Sequence, residues 1–275
     1  MNIIYATGGN SKFFLMTGIL LQAFKTKCPG RTLHVCDFGF SDEQRDILSQ
    51  SETFLSKPSF LPDNAHPWIY KSSLIHYLAP LSPDIVIWLD SDCFPVGPFA
   101  DEAEKIVSNW PDGRDIIAIC QGKLGKNWQL ASPNSNIAHF NIDPSYPYYN
   151  SGVWILRSNR VLNEWASEVE NVPKIGMFEQ DTFNYLLSKH NIEIQQLDND
   201  YWNVTHDSLK HVTINHEGKV LFKNKQTLII HLTGVYKDLQ VSIGPFKGTI
   251  RAMISPEVMN FQLQLLKEWI ISVTK

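Results

Sequence analysis

Two carboxylates, Asp90 and Asp92, follow Asp84-Ile85-Val86-Ile87-Trp88-Leu89, a β-rich and nearly all-apolar run. Side chains two apart on a strand share a face, so the pair can turn two oxygen donors toward one hard cation. A plainer reading has Asp90 capping the next turn and Asp92 in solvent, and the pair alone does not decide between them. Three later clusters bear on the choice. Asn150 stands directly before Ser151-Gly152-Val153, and its amide can donate and accept at once, as sugar hydroxyls require. Glu179-Gln180-Asp181 crowds acid and amide groups where a helix should start, although the helix macrodipole by itself favours acids there. His231 ends an apolar run, with Gly234 and Lys237 after it. An imidazole can ligate a metal and an ammonium can neutralise phosphate oxygens, so the three together suit a metal-bound diphosphate, whereas a lone His is more often a structural one.

The elements that must position these groups alternate along the chain. Ile3–Ala6 reads as a strand stopped by Thr7-Gly8-Gly9-Asn10, and Phe13–Phe24 as a helix by its apolar spacing. Thr32–Phe38 follows as a strand, then helices at Asp42–Ser51 and Tyr70–Leu81, the latter bounded by Pro80 and Pro83. The run ending at Leu89 reads as a central strand buried on both faces. Asp115–Cys120 and Ser151–Leu156 are further strands, Val161–Glu170 and Glu179–His190 helices, and Gln226–Leu232 a strand, while Gln121–Tyr149 is polar, Asn- and Pro-rich loop. This alternation predicts an α/β fold with a mainly parallel central sheet flanked by helices. In such sheets ligands bind beyond the carboxyl ends of the strands, where Asp90 and Asp92 would sit. In Pro256–Thr274 one stripe gathers Val258, Phe261, Leu265, Leu266, Trp269, Ile270 and Val273, the pattern of a docked amphipathic helix. Its polar face carries only Lys267 and Lys275, so peripheral membrane contact is the lesser reading.

The chain has 275 residues, 43% of them hydrophobic, enough to bury a core as one domain over 1–275. With 24 Lys and Arg against 28 Asp and Glu it lacks the basic excess that nucleic-acid binding demands. Cys28, Cys36, Cys93 and Cys120 lie too far apart for CxxC or zinc-ribbon spacing and read as core residues in a reducing compartment. Neither a signal peptide nor a transmembrane segment is evident, so a cytoplasmic protein is expected. On that expectation the sequon-like Asn203-Val204-Thr205 is a chance match.

In this order, Trp88–Asp92, Asn150–Val153, Glu179–Asn184 and His231–Lys237 resemble the elements of the family 8 retaining glycosyltransferases, which include glycogenin and bacterial lipooligosaccharide galactosyltransferases. The likeness runs from the first strand to about Lys237, and Leu197–Val204 is similar to the family's segment before its closing element. Glu179 stands where the family has Asp, Asp238-Leu239 follows Lys237 where it has Pro-Trp, and the first strand lacks an Asn-Asp-x-Tyr-like stretch. The resemblance implies a GT-A fold with a nucleotide-sugar site at the strand ends. It further implies transfer of a hexose, glucose or galactose, from a UDP-sugar to a carbohydrate-containing acceptor with retention of configuration. By the same resemblance Asp90, Asp92 and His231 would bind Mn2+ or Mg2+. Lys237 and the Gly234 backbone would hold the diphosphate, with Ser91 a further donor-binding residue, Lys71 a basic donor contact and Ala6, Thr7 and Asn10 beside the nucleoside. Gln180, Asn150 and Glu179 would surround the donor sugar, Gln180 nearest the reacting carbon.

Two other readings fit part of the pattern. A haloacid-dehalogenase-type phosphatase also carries Asp-x-Asp after an apolar strand, but near the chain start and with a following Thr or similar residue, where this chain has Cys93-Phe94-Pro95. A non-catalytic nucleotide-sugar-binding protein of the same fold would keep the cavity and lose turnover, and 8 Trp with 9 Tyr would suit carbohydrate stacking.

Overall fold

The computed structural model describes residues 1–51, 53–122, 136–143, 145–233, 237–253 and 255–274. Its strands, in chain order, are β1 (Ile3–Gly9), β2 (Leu33–Asp37), β3 (Phe54–Leu55), β4 (Ile85–Leu89), β5 (Cys93–Pro95), β6 (Ile116–Gln121), β7 (Tyr149–Arg157) and β8 (Glu193–Leu197). They continue with β9 (Val212–Ile214), β10 (Val220–Phe222), β11 (Lys225–Gln226), β12 (Ile229–His231), β13 (Lys237–Ile243) and β14 (Phe246–Ala252). Seven of them form the central sheet in the order β3-β2-β1-β4-β7-β6-β8. All neighbours pair in parallel except β7, which runs antiparallel to both β4 and β6.

Strand β4 is buried throughout, and its two faces serve two different cores. Val86 and Trp88 pack with Tyr70, Leu74, Tyr77, Trp154, Val161, Trp165 and Phe183, from the helices and strand on one side. Ile85, Ile87 and Leu89 pack with Leu20, Phe24, Phe99, Ala103 and Val107 on the other. A strand apolar on both faces is what a helix-covered sheet requires, and it places Asp90 at the first point where the chain leaves the core.

Several elements differ from their sequence-based expectations. β1 continues through Gly8 and Gly9 because both lie against aromatic rings: a Cβ on Gly8 would stand 2.3 Å from the Phe38 ring. The helix expected over 70–81 begins at Pro67, with the His66 ring accepting from the Trp68 amide at 3.3 Å. It breaks at Ser73, whose hydroxyl donates back to the Ile69 carbonyl at 2.9 Å, and resumes as Leu74–Leu78 and a 3-10 turn that admits Pro80. β7 starts at Tyr149, which puts Asn150 inside the strand rather than ahead of it. The stretch 226–232 is not one strand: it divides between β11 and β12, which join different sheets. Of the expected 121–149 loop, 123–135 and 144 lie outside the described residues, and Ile137–Phe140 is a short helix. The β13–β14 hairpin was not foreseen.

The terminal helix, Pro256–Val273, docks on helix Phe14–Lys27. Gly18 makes the contact possible, since a Cβ there would stand 2.2 Å from the Trp269 ring. Val258, Leu265, Leu266 and Trp269 are buried, and Phe261, Ile270 and Val273 pack on the same core. Among the described residues no helix is long and apolar enough to cross a membrane.

Candidate active site

The reversal of β7 determines how the site is assembled. Because β7 runs against β4, its first residues lie level with the last residues of β4: Val153 pairs with Leu89, and the Asp90 amide donates to the Gly152 carbonyl at 2.8 Å. Helix Phe178–Lys189 then anchors the start of β7. The Asn184 amide brackets Tyr149, accepting from its N–H at 2.7 Å and donating to its carbonyl at 2.9 Å. Asp181 accepts from the Tyr148 hydroxyl at 2.7 Å and from the Asn136 backbone at 3.0 Å. The first turn of that helix is thereby fixed with Glu179 and Gln180 toward Ser151.

Two networks meet in a cavity of about 250 Å³. In the first, the buried Lys71 ammonium lies 2.9 Å from Asp90 Oδ1, 3.2 Å from Glu179 Oε1 and 3.2 Å from Ser151 Oγ. Asp90 Oδ1 also accepts from the Trp88 indole N–H at 2.7 Å. Burial alone would drain charge from Lys71, but Asp90 and Glu179 outweigh it and hold its pKa above the ordinary value. One ammonium serves two carboxylates, and burial together with the charge of Asp90 pushes Glu179 up to about 7 despite Lys71.

In the second network His231 Nδ1 pairs with Asn203 Oδ1 at 3.0 Å, Asn203 donates to Asn150 Oδ1 at 2.9 Å, and Asn150 donates to Gln180 Oε1 at 3.4 Å. Gln180 Oε1 also accepts from the Ser151 amide at 2.9 Å. The other imidazole nitrogen, Nε2, lies 3.4 Å from Asp92 Oδ1, and Arg251 Nη1 donates to Asp92 Oδ2. Burial opposes the charge on Asp92, but His231 and Arg251 keep its carboxyl below the usual range. Gly152 leaves room for the imidazole, since a Cβ there would stand 2.3 Å from His231 Cε1.

Lys71, Asp90, Ser91, Asp92, Asn150, Glu179, Gln180 and His231 all line this one cavity. Among the described residues, the group of potential metal ligands whose ligand atoms lie within 4.8 Å of one another is Asp92, Cys93 and His231. Asp90 faces the same cavity but commits an oxygen to Lys71 and Trp88, so its carboxylate is not collected with the other two expected ligands. At the end of β1, Gly8, Gly9 and Asn10 reach the cavity. Ala6 and Thr7 are fully buried and do not line it, because the longer β1 carries the strand end past them. Lys237 opens the exposed β13 and also lies off the cavity wall, and Gly234 falls outside the described residues.

Asn203 and Arg251 belong to the site and were missed in the sequence. Asn203 carried a signal, lying in a segment similar to the family's, but it was read there only as a sequon; it is 2% exposed and spent on His231 and Asn150. Arg251 carries no local signal, because its role depends on a contact with Asp92 made only in the folded chain. The four cysteines are buried.

No family model matches the chain, and no curated protein matches it. Solved structures do. The galactosyltransferase LgtC, determined with donor and acceptor sugar analogues, superposes with a TM-score of 0.59 at 12% identity over 98% of this chain and 96% of its own. The bifunctional glycosyltransferase WbbM gives 0.56 at 16% identity over 85% of this chain, which spans only 46% of WbbM. Apo GlyE of Streptococcus pneumoniae TIGR4 gives 0.53 at 15% identity, over 99% of this chain and 64% of its own. At these identities the likeness concerns the fold: the chain has the GT-A architecture of these glycosyltransferases.

Proposed function

We propose that the chain is a retaining, metal-dependent glycosyltransferase that moves a hexose, glucose or galactose, from a UDP-sugar to a carbohydrate-containing acceptor. The observation that carries this reading is the connected polar path from Asp92 and His231 through the buried Asn203 to Asn150 and Gln180, all but Asn203 lining one cavity. It links a place suited to a divalent cation with one suited to a sugar.

Asp92 and His231 fit a divalent cation. Their facing atoms are 3.4 Å apart, and Asn203 fixes the imidazole from behind, as ligating histidines usually are fixed. Asp90 stands on the same wall. A bound Mn2+ or Mg2+ would supply Lewis-acid stabilisation of the charge developing on a departing nucleoside diphosphate. The chain's own groups do the rest. Lys71, locked beside Asp90 and Glu179, is a fixed cation that needs no reorganisation as negative charge develops on the donor. Gln180 and Asn150 offer amides to the sugar, and Gln180 Oε1, held by Ser151, suits an oxocarbenium-like centre without a strong nucleophile. Retention rests on the resemblance of the sequence elements.

The test is thermal unfolding with UDP, UDP-glucose and UDP-galactose, each with and without Mn2+, in wild type and in Asp92→Ala. Ligand at about a hundred times its dissociation constant adds roughly 2.7 kcal/mol. A rise in melting temperature that needs Mn2+ and vanishes in the variant supports the site. No rise with any uridine nucleotide in the wild type removes UDP as the donor nucleotide.

A further inference from the structure

Asp92 is already engaged. It is 7% exposed; its Oδ1 faces His231, and its Oδ2 accepts from Arg251 Nη1. A divalent cation taking that carboxylate would meet a guanidinium in the same small, buried space, and two cations so placed repel strongly. Arg251 comes from β14, and its side chain is partly exposed. Nη1 also donates to the Leu232 carbonyl at 3.3 Å, the guanidinium lies 4.8 Å over the Phe13 ring, and the side chain retains 21% exposure on the cavity side. Its neighbours on that wall include Asn10 and Thr233. A planar fork of N–H donors that can leave a carboxylate finds its best alternative partner in phosphate oxygens.

We propose that Arg251 is a tethered counter-cation: it occupies Asp92 in the ligand-free protein, yields that carboxylate to the divalent metal, and passes to the diphosphate of the incoming nucleotide. This rests on the nucleotide-sugar reading and adds a regulatory consequence to it. Metal alone must displace Arg251 with no compensation, so it binds weakly. Metal with nucleotide gives the guanidinium a new anionic partner, so each ligand strengthens the other by the same factor.

Calorimetric titrations of the full chain test this, with Mn2+ alone, UDP alone, and Mn2+ into UDP-saturated protein. Wild type is compared with Arg251→Met, which keeps an unbranched apolar side chain without the charge, and with Arg251→Lys. Arg251→Met should bind Mn2+ alone about 5- to 150-fold more tightly than wild type, the range of ordinary coupling between sites. The factor by which UDP strengthens Mn2+ binding should fall toward one, and Arg251→Lys should keep part of it. Mn2+ alone binding Arg251→Met no more tightly, or an unchanged coupling factor, overturns the proposal. Should Arg251→Met fail to fold, the loss of coupling in Arg251→Lys relative to wild type decides, and full coupling there overturns it. Wild type that binds neither Mn2+ nor UDP overturns the nucleotide-sugar reading itself, and this inference with it. Wild type that binds both without coupling overturns the inference alone.

Discussion

Gly152→Ala should disable the site through a single methyl group. The backbone of Gly152 does not lie at positive φ, so the substitution adds no conformational strain and acts only by contact. The new Cβ would stand 2.3 Å from His231 Cε1, 3.0 Å from its Nδ1 and 3.0 Å from Asn150 Oδ1. Ordinary contact begins at 3.4 Å, so the ring must retreat by about 1.1 Å. The imidazole has nowhere to go at no cost, since His231 is 4% exposed and held in the β5–β12 ladder. A shift of that size breaks the 3.0 Å bond to Asn203 and withdraws Nε2 from Asp92. Overpacking of a buried position costs about 1 to 3 kcal/mol, and a displacement near 1 Å in a catalytic constellation costs on the order of 10²-fold in rate. Melting temperature should therefore fall by a few degrees, and the Mn2+-dependent shift with UDP should shrink or disappear. The decisive assay is a double-mutant cycle on stability with His231→Ala, which removes the ring the methyl strikes. In that background Gly152→Ala should cost much less than in wild type. Equal cost in both backgrounds, or undiminished Mn2+-dependent UDP stabilisation in Gly152→Ala, refutes the steric argument.

Further predictions concern neighbouring groups. Asn203→Ala removes the acceptor that orients His231 and should weaken Mn2+ binding about 10- to 100-fold by titration calorimetry, with the fold unchanged by circular dichroism. Because the Glu179 pKa is raised to about 7, the folded protein binds more protons than the unfolded chain between about pH 4.5 and 7. Its contribution to stability is thus lost as pH rises through that window, and denaturant melts of Glu179→Gln should show a shallower decline. Gly18→Ala drives a methyl into the Trp269 ring and should cost about 1 to 3 kcal/mol in a chemical melt, leaving Mn2+ and UDP affinities as in wild type.

The parts of the site legible in sequence were those whose chemistry and element coincide locally. A fully apolar strand must end in the open, so Asp90 and Asp92 could be located from the run before them, and the acid–amide turn at Glu179 from its helix start. The orientation of each group was not local. Nothing near Asp90 says that it turns to Lys71 and Trp88 while Asp92 turns to His231. Asp92 meets His231 because β5 pairs with β12, which sets His231 against Cys93, while the ammonium beside Asp90 comes from the helix at Pro67–Ser72. Arg251 and Asn203 stayed hidden for the same reason: their partners lie far away along the chain. The break at Ser73 and the extension of β1 through two glycines were missed because local propensity was overruled, by a hydroxyl bonding back to its own helix and by rings packed on bare backbone.

The reversed strand also bears on how such an enzyme could change its acceptor. Gln121 pairs with Tyr149, and the Gly122 amide donates to the Tyr148 carbonyl at 2.8 Å, so the segment between them leaves and re-enters the sheet at one point beside the cavity. The later part of that insert is tied to the donor-side floor, since Asn136 donates to Asp181 at 3.0 Å and Phe140 stacks on Tyr185, so only the part before Asn136 can be exchanged with the central sheet and that floor left as they are. Grafting a foreign segment between residues 122 and 136, with Asn136 kept on Asp181, should therefore redirect acceptor choice while leaving affinity for Mn2+ and UDP at the wild-type level.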